Sequence, residues 1–184
     1  AQIPTPDAAG FAHWGATSQD IVDTGLALRL RQVLALYETR LSSLSAAMAD
    51  LAERPATTPM AGRTWGMVAT PSSFGALVAS WGKPLLRAAD RLEQQKPTLL
   101  SVSLSGAAGT LSAMGADGSE VRAHLARALN LSDPGGSTHS TRDSLADFAG
   151  WMTTLTGSLG KMGEDVLSLT RSGEARLSMG GGSS

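Results

Sequence analysis

The stretch LADFAGWMTTLTGSLGKMGEDVLSL, residues 145–169, decides the fold class of this chain of 184 residues. Its large apolar residues recur at alternating spacings of three and four, which keeps them on one face of an α-helix. The recurring residues are Leu145, Phe148, Met152, Leu155, Leu159, Met162, Val166 and Leu169. Gly157, Gly160 and Gly163 lie beside this face. Because a glycine inside a helix costs about 1 kcal/mol relative to alanine, we expect another helix to approach closely there.

A second long helix is predicted near the start of the chain. The segment Thr17–Asp20 has the hydroxyl-x-x-acid signature of a helix start, in which the hydroxyl satisfies free backbone N–H groups. An apolar stripe with spacings of four and three follows, through Leu30, Leu34, Tyr37, Leu41, Leu44, Met48 and Leu51. The predicted helix, from about Thr17 to Leu51, is on the order of 50 Å long.

The remaining segments indicate shorter elements, and no segment has the alternating pattern of a β-strand. We therefore predict an all-α bundle of long helices. Helices this long exceed what a compact monomer of this size needs, so we expect their apolar faces to meet helices of other subunits. The other predicted segments are a loop at 1–16, a connection at 54–71, a third helix from Ser72 or Ser73, a loop or closely packed backbone at 101–118, and a short helix at 119–129.

Composition excludes several classes of function. The net charge of −1 gives no electrostatic footprint for nucleic acid or an anionic membrane surface. The absence of cysteine excludes disulfides, thiolate nucleophiles and cysteine-based zinc sites. Three scattered histidines give weak support for a metal, so no metal is predicted, and His124 is assigned no role. Without a long apolar run or a signal-peptide pattern, the expected location is the cytoplasm.

Five blocks of the sequence resemble, in the same order, conserved blocks of the fumarase/aspartase superfamily, in the branch of the adenylosuccinate lyases. The blocks are HWGATSQDIVDT (13–24), GRTW (62–65) with ATPSSFG (69–75), SGAAGTL (105–111), HSTRD (139–143) and GSS (182–184). The resemblance implies an all-α, long-helix bundle of the fumarase/aspartase type, a homotetramer whose active sites combine residues of three subunits, and no cofactor. It also implies a partial chain, in which residues 1–16 end an N-terminal region and residues 17–184 form much of the central helical domain.

Trp65 is the residue that selects among the activities of this superfamily. The C–N lyases have histidine at that place as general acid toward the leaving nitrogen, so the resemblance is to the 3-carboxy-cis,cis-muconate cycloisomerases. Those enzymes form 4-carboxymuconolactone in protocatechuate breakdown, through the β-ketoadipate pathway. In reverse they expel a carboxylate, whose pKa of about 4 makes a proton donor nearly dispensable, whereas a departing amine needs one. The alternatives are a C–N lyase of the adenylosuccinate lyase type and a helical scaffold without catalysis.

Ser183 is the predicted catalytic residue. The block GSS resembles the start of the loop that bears the superfamily's serine, which exchanges a proton at the carbon next to a substrate carboxylate. A free serine is a poor base, so its surroundings must activate it. The alternative is that Gly180–Ser184 is a flexible linker without function.

Three residues near the first predicted helix resemble the superfamily's anion-binding residues. They are His13, Thr17 and Ser18. A helix start that bears hydroxyl groups suits a carboxylate, because its backbone N–H groups are unpaired. The alternatives are a structural loop histidine for His13 and plain helix capping for the two hydroxyl residues.

Further substrate-binding residues are implied for a small tricarboxylate. Arg63 and Thr64 resemble a carboxylate-binding pair, since a guanidinium grips a carboxylate through two hydrogen bonds. The alternative for Arg63 is an ordinary surface arginine, and Trp65 is expected to shape the pocket rather than perform chemistry. His139 and Arg142 are predicted one turn apart at a helix start, where both face the substrate or, alternatively, form a solvated helix end.

Overall fold

The computed structural model describes residues 6–53 and 56–176, and helices dominate them. The elements in chain order are α1 (Pro6–Ala9), α2 (Ser18–Glu53), β1 (Pro59–Thr64), β2 (Met67–Ser73), α3 (Phe74–Leu99), a 3-10 helix (Ser112–Asp117), α4 (Gly118–Leu129) and α5 (Asp143–Arg171). Within these described ranges, every helix is too short or too polar to span a lipid bilayer.

Helix α2 begins and ends within two residues of its predicted bounds, and α5 contains the whole predicted apolar stripe, residues 145–169. At the start of α2, the backbone N–H of Thr17 donates to the carboxylate of Asp20, 2.9 Å away. This is the half of a capping box in which the acid reaches back to the residue before the helix. At the start of α3, the hydroxyl of Ser73 accepts a hydrogen bond from the N–H of Ala76. The local cap residues therefore set where α2 and α3 begin.

An antiparallel β-hairpin, residues 59–73, occupies most of the connection predicted at residues 54–71 and extends two residues beyond it, and periodicity does not predict this hairpin. β1 and β2 pair up to Thr64 opposite Met67. Trp65 and Gly66 form the two-residue loop with φ values of 51° and 76°, and positive φ at both residues defines a type I′ turn. Most residues of the two strands are exposed, so no buried face imposes an alternating apolar pattern on the sequence.

The first of two compact units comprises the chain up to Thr39 together with Arg91–Ala149. In its core, the rings of Tyr37 and Phe148 meet edge to face with centroids 6.5 Å apart. The buried apolar residues of this unit are Ala27, Leu34, Leu92, Leu99, Val102, Leu104, Leu111, Ala126 and Phe148.

The second unit comprises Arg40–Asp90 and the chain from Gly150 onward. Trp81 is buried there edge-on against the ring of Phe74, and its indole N–H donates to Asp165 at 2.6 Å. A buried indole needs such a partner for its one polar atom. The buried apolar residues of this unit are Leu41, Val78, Trp81, Leu85, Ala88, Trp151, Leu155 and Leu169.

The glycines beside the stripe of α5 face open space. A Cβ atom placed on Gly157, Gly160 or Gly163 would meet no atom within 4 Å. The close helix approach predicted there is therefore not formed among the described residues.

Candidate active site

Asp20 lies at the centre of a buried hydrogen-bond cluster in the first unit. This third residue of α2 is 1% exposed. Its Oδ1 accepts from the hydroxyl of Ser103 at 3.1 Å and from the N–H of Ser105 at 3.0 Å. Its Oδ2 accepts from the N–H groups of Thr17 at 2.9 Å and Gly106 at 3.1 Å. These residues together with His139 are called the Asp20 cluster below.

The imidazole of His139 supplies the fifth contact to Asp20. Its Nε2 lies 2.6 Å from Oδ1, and the side chain is 17% exposed. The predicted placement of His139 and Arg142 one turn apart at a helix start is wrong, because α5 begins only at Asp143. The carbonyl of Arg142 accepts the first helical hydrogen bond, from the N–H of Ala146, whereas His139 lies in the preceding loop. Its contact with Asp20, rather than helical spacing, therefore orients the ring.

The hydrogen bonds keep Asp20 ionised. Burial acts to raise the pKa of its carboxyl group, but the donors from Thr17, His139, Gly106 and Ser105 outweigh burial. The pKa of Asp20 is consequently lowered from the ordinary value of 3.8. The cluster therefore presents a fixed negative charge at neutral pH.

The segment that carries these donors is held against α2 by a reciprocal pair of hydrogen bonds. The hydroxyl of Thr24 donates to the carbonyl of Ser103 at 3.1 Å and accepts from its N–H at 2.9 Å. Gly106 then turns the chain with a φ of 73°, and a Cβ there would lie 2.9 Å from the carbonyl oxygen of Gly15. Only glycine fits this left-handed, crowded position while its N–H points at Asp20.

A second acid on the same face of α2 lines a cavity of about 450 Å³. Oδ1 of Asp23 accepts from Nη1 of Arg142 at 3.0 Å and from the amide of Gln19 at 2.8 Å. Its Oδ2 is buried and has no hydrogen-bond partner among the described residues. The cavity, which Asp23 and Arg142 both line, is large enough for water or for a small ligand with a donor group.

The other predicted residues of the first unit lie around the start of α2. His13 is exposed, has a φ of 65°, and accepts a hydrogen bond from Ala16 through its backbone carbonyl. Thr17 is half-buried and contributes its backbone N–H to Asp20, while Ser18 is exposed. The structure thus brings Thr17 and His139 to one carboxylate, and the substrate-binding roles of all four residues stay predictions.

The predicted residues of the second unit lie at the hairpin tip, residues 64–67, or, for Arg63, directly before it. The guanidinium of Arg63 pairs with Glu174 and donates to the carbonyl of Gly66 at 3.2 Å. The hydrogen bond from Arg63 also holds the pKa of Glu174 below its ordinary value of 4.5. Thr64 ends β1, and Trp65 is 96% exposed. Arg63 therefore braces the tip, and its binding of a substrate carboxylate stays a prediction.

Ser183, the predicted catalytic residue, lies outside the described residues.

Asp20 is a site residue that the sequence pattern identifies only as an acid at a helix start. Its signal is the spacing of Asp20, Asp23 and Thr24, which places three polar side chains on one face of α2. Ser103 has no comparable signal, because its partner Asp20 is 83 positions away along the chain.

The described residues of the site combine acidic groups with groups that can bind an anion. Among residues 6–53 and 56–176, no three His, Asp or Glu side chains come together in a way that would hold a metal ion. The imidazole of His139 reaches the surface and the guanidinium of Arg142 lines the cavity, and both suit carboxylates. The cavity is also lined by the acids Asp23, Asp133 and Asp143.

Comparison with known proteins gives one family and several relatives. A family model described as Lyase matches residues 4–183. The chain is 44% identical over 178 residues to the 3-carboxy-cis,cis-muconate cycloisomerase of Pseudomonas aeruginosa. The aligned region covers 96% of this chain and 39% of that relative. The chain thus spans about two fifths of the length of this curated relative, at 39%.

Two solved structures are similar in fold as well as in sequence. One is a fumarate lyase from Mesorhizobium sp. BNC1, with a TM-score of 0.85 and 43% identity, covering 89% of this chain and 39% of that one. The other is a 3-carboxy-cis,cis-muconate lactonizing enzyme from Pseudomonas putida, with a TM-score of 0.82 and 41% identity, covering 88% of this chain and 37% of that one.

Proposed function

We propose, from the premise that this chain belongs to the lyase family, that the protein is a cycloisomerase that converts 3-carboxy-cis,cis-muconate to 4-carboxymuconolactone. The observation that carries the proposal is the 44% identity to a relative of that name over almost the whole chain. The predicted long-helix fold of the fumarase/aspartase type is confirmed by the two similar solved structures.

The reaction adds one substrate carboxylate across a neighbouring carbon–carbon double bond. The carboxylate oxygen bonds to one carbon, and the electron pair of the double bond moves toward the carboxylate at the other end. The resulting aci-carboxylate carries extra negative charge, which fixed donors stabilise. Ser183 then delivers its proton to the adjacent carbon and regains one from water. The net change is ring closure with uptake of one proton.

The described residues support binding rather than the proton step itself. Arg142 and His139 are cationic or hydrogen-bonding groups suited to substrate carboxylates, and each already has an acidic partner on α2. These partners, Asp23 and Asp20, restrict where the two side chains point. Prior orientation of this kind lowers the entropy lost when substrate binds.

Trp65 favours lactone formation over the elimination of an amine. An indole N–H does not ionise in the physiological range, so Trp65 cannot protonate a departing nitrogen. Elimination of a carboxylate, the reverse of lactonisation, does not require that proton. A C–N lyase of the adenylosuccinate type is the second candidate, because it shares the fold and the serine chemistry.

We further propose a cytoplasmic homotetramer with shared active sites. Support comes from large apolar side chains that the chain leaves exposed, such as Trp65 at 96%, Val22 at 62% and Leu36 at 60%. The uncovered glycines of α5 add a surface that a helix of a second copy can approach closely.

The decisive experiment is to incubate the full-length protein with 3-carboxy-cis,cis-muconate and follow the ultraviolet absorbance of the conjugated diene. We expect the absorbance to fall, and Ser183→Ala to slow the fall by roughly 10²–10⁴-fold, as for loss of a proton-transfer group. Ser184→Ala is the matched control and should retain activity. Cleavage of adenylosuccinate without loss of diene absorbance would favour the C–N lyase, and turnover of neither substrate would favour a scaffold.

Shared active sites are tested by mixing inactive variants. His13→Ala and Ser183→Ala tetramers are dissociated, mixed and reassembled. If the two residues of one site come from different chains, mixed tetramers regain part of the activity. No recovery from variants that reassemble correctly would contradict the shared site.

A further inference from the structure

We propose that Asp20 is a positioning residue that holds the Nε2–H of His139, so that Nδ1 points outward and, in the imidazolium, presents its N–H to a carboxylate of the substrate. The identity of that ligand rests on the proposed function, whereas the orientation of the ring rests on the geometry alone.

The first step concerns which atom carries the proton between the two side chains. Nε2 of His139 lies 2.6 Å from Oδ1 of Asp20, and this carboxylate is ionised and already accepts four other hydrogen bonds. An ionised carboxylate has no proton to donate. The proton between the two atoms therefore sits on Nε2, in the neutral ring as well as in the imidazolium.

The second step concerns the nitrogen that remains. Nδ1 of His139 has no hydrogen-bond partner among the described residues. It is also not buried, since it is absent from the buried polar atoms without a partner. It therefore reaches the surface on the 17% of the side chain that is exposed. In the imidazolium, Nδ1–H is a donor for a carboxylate, and the charge of Asp20 balances the ring.

The third step concerns rigidity. Asp20 cannot turn, because the N–H groups of Thr17, Ser105 and Gly106 hold both of its oxygens from two separate segments of the chain. The position of the carboxylate is thus set by backbone atoms, and the ring inherits that position through one hydrogen bond. A residue that acts in this way changes catalysis only through His139.

The direct test is the tautomer of His139, read by ¹⁵N NMR of the chain labelled at histidine, at a pH where the rings are neutral. We expect His139 to be in the Nε2–H form alone, with a slowly exchanging Nε2–H proton. His124 on α4 is 64% exposed, and its one contact, with Glu120 at 3.5 Å, is also exposed; it is the internal reference for a surface ring, which we expect to populate both forms. An Nδ1–H form of His139, or a mixture like that of His124, would overturn the proposal.

Variants separate positioning from mere stability. In Asp20→Asn the form of His139 should move toward the mixture of His124, whereas Asp23→Asn, on the same face of α2, should leave it unchanged. A folded Asp20→Asn chain with an unchanged tautomer would also overturn the proposal. If Asp20→Asn does not fold, the wild-type spectrum alone decides between the two outcomes.

Kinetics of the full-length protein supply an independent check. Asp20→Asn and His139→Gln should each lower kcat/KM by about 10- to 100-fold, the effect of a misplaced group, and the double variant should lose no more than the worse single one. Losses that multiply would show that Asp20 acts independently of His139. A protein with the expected tautomer but no muconate turnover would refute the proposed function and leave the positioning intact.

Discussion

The Asp20 cluster is closed by hydrogen bonds from the chain itself, whereas the hairpin tip presents Trp65 with 96% of its surface exposed. In the first region both oxygens of the central carboxylate accept hydrogen bonds, and the buried hydroxyl of Ser105 is the cluster's one buried side-chain atom without a partner among the described residues. In the second region the chain fixes the backbone, through the type I′ turn and the hydrogen bond from Arg63 to the carbonyl of Gly66, but leaves the side chain of Trp65 exposed. Changes in the cluster should therefore lower stability as well as activity, whereas changes at the tip should affect activity with little effect on stability.

The largest effect is expected from Asp20→Ala, which leaves five donors without their acceptor. Removing one partner of a buried charged pair costs about 3–5 kcal/mol of the free energy of unfolding. Urea unfolding of the chain measures this loss. The control is Asp147→Ala, an exposed position on α5 where we expect a change within about 0.5 kcal/mol. Similar losses in the two variants would remove the distinction between the cluster and an ordinary surface acid.

A matched pair of glycines compares the two regions directly. Gly106 and Gly66 have nearly the same φ, 73° and 76°, but a Cβ at Gly106 meets the carbonyl of Gly15 and a Cβ at Gly66 meets nothing within 4 Å. Gly66→Ala should cost about 1–2 kcal/mol for the left-handed backbone alone. Gly106→Ala should cost about 2–3 kcal/mol, because the backbone must also move. Equal losses in thermal or urea unfolding would contradict crowding at Gly106.

Acid should weaken the cluster in a defined direction. The pKa of Asp20 is lowered from 3.8 in the folded chain, so the unfolded chain takes up the proton first as the pH falls. The contribution of Asp20 is therefore complete above its unfolded pKa and is lost as the pH falls through the folded pKa. The loss should be smaller than in Asp20→Ala, because a protonated carboxyl group still accepts hydrogen bonds.

Urea unfolding at a series of acidic pH values measures this dependence. Asp133 contributes in the same direction, because burial raises its pKa less than Gly135 and Arg122 lower it. The slope of stability against pH should therefore flatten partly in Asp20→Asn and further when Asp133→Asn is added. An unchanged slope in Asp20→Asn would show that its carboxyl group titrates alike in both states.

The smallest effect on stability is expected at the tip. Trp65→Ala should change the free energy of unfolding of the chain by less than about 0.5 kcal/mol, because the side chain buries almost nothing. In the full-length protein the same substitution should lower kcat/KM by at least about tenfold, if the tip shapes a pocket. A loss of stability above 1 kcal/mol together with normal turnover would reverse the comparison.

The sequence predicts the helices well because their determinants are local. The apolar stripe of α5 follows from spacings of three and four residues, and Asp20 follows from the signature of a helix start. The structure has α2 and α5 at these places. The β-hairpin escapes prediction because its strands have no buried face, and Trp65 is not a typical residue for the turn it occupies.

The site is predicted less completely, because its contacts join distant parts of the chain. The resemblance indicates His139 and Arg142 but not their acidic partners. Asp20 lies 119 positions before His139, and Asp23 lies 119 positions before Arg142. No periodicity encodes such a pairing, and the loop before α5 follows these contacts instead of continuing the helix. Only the polar face of α2 hints at the cluster from sequence alone.

In the type I′ turn, the residues that set the backbone of the hairpin differ from the residue that presents its side chain at the tip. Gly66 and the strand pairing set the backbone, and position 65, with a φ of 51°, lies in a region where histidine and asparagine are more common than tryptophan. A single substitution can therefore exchange an inert aromatic surface for a proton donor without rebuilding the hairpin. If Trp65 has the role that we propose for it, position 65 is the first choice for a library that seeks new eliminations.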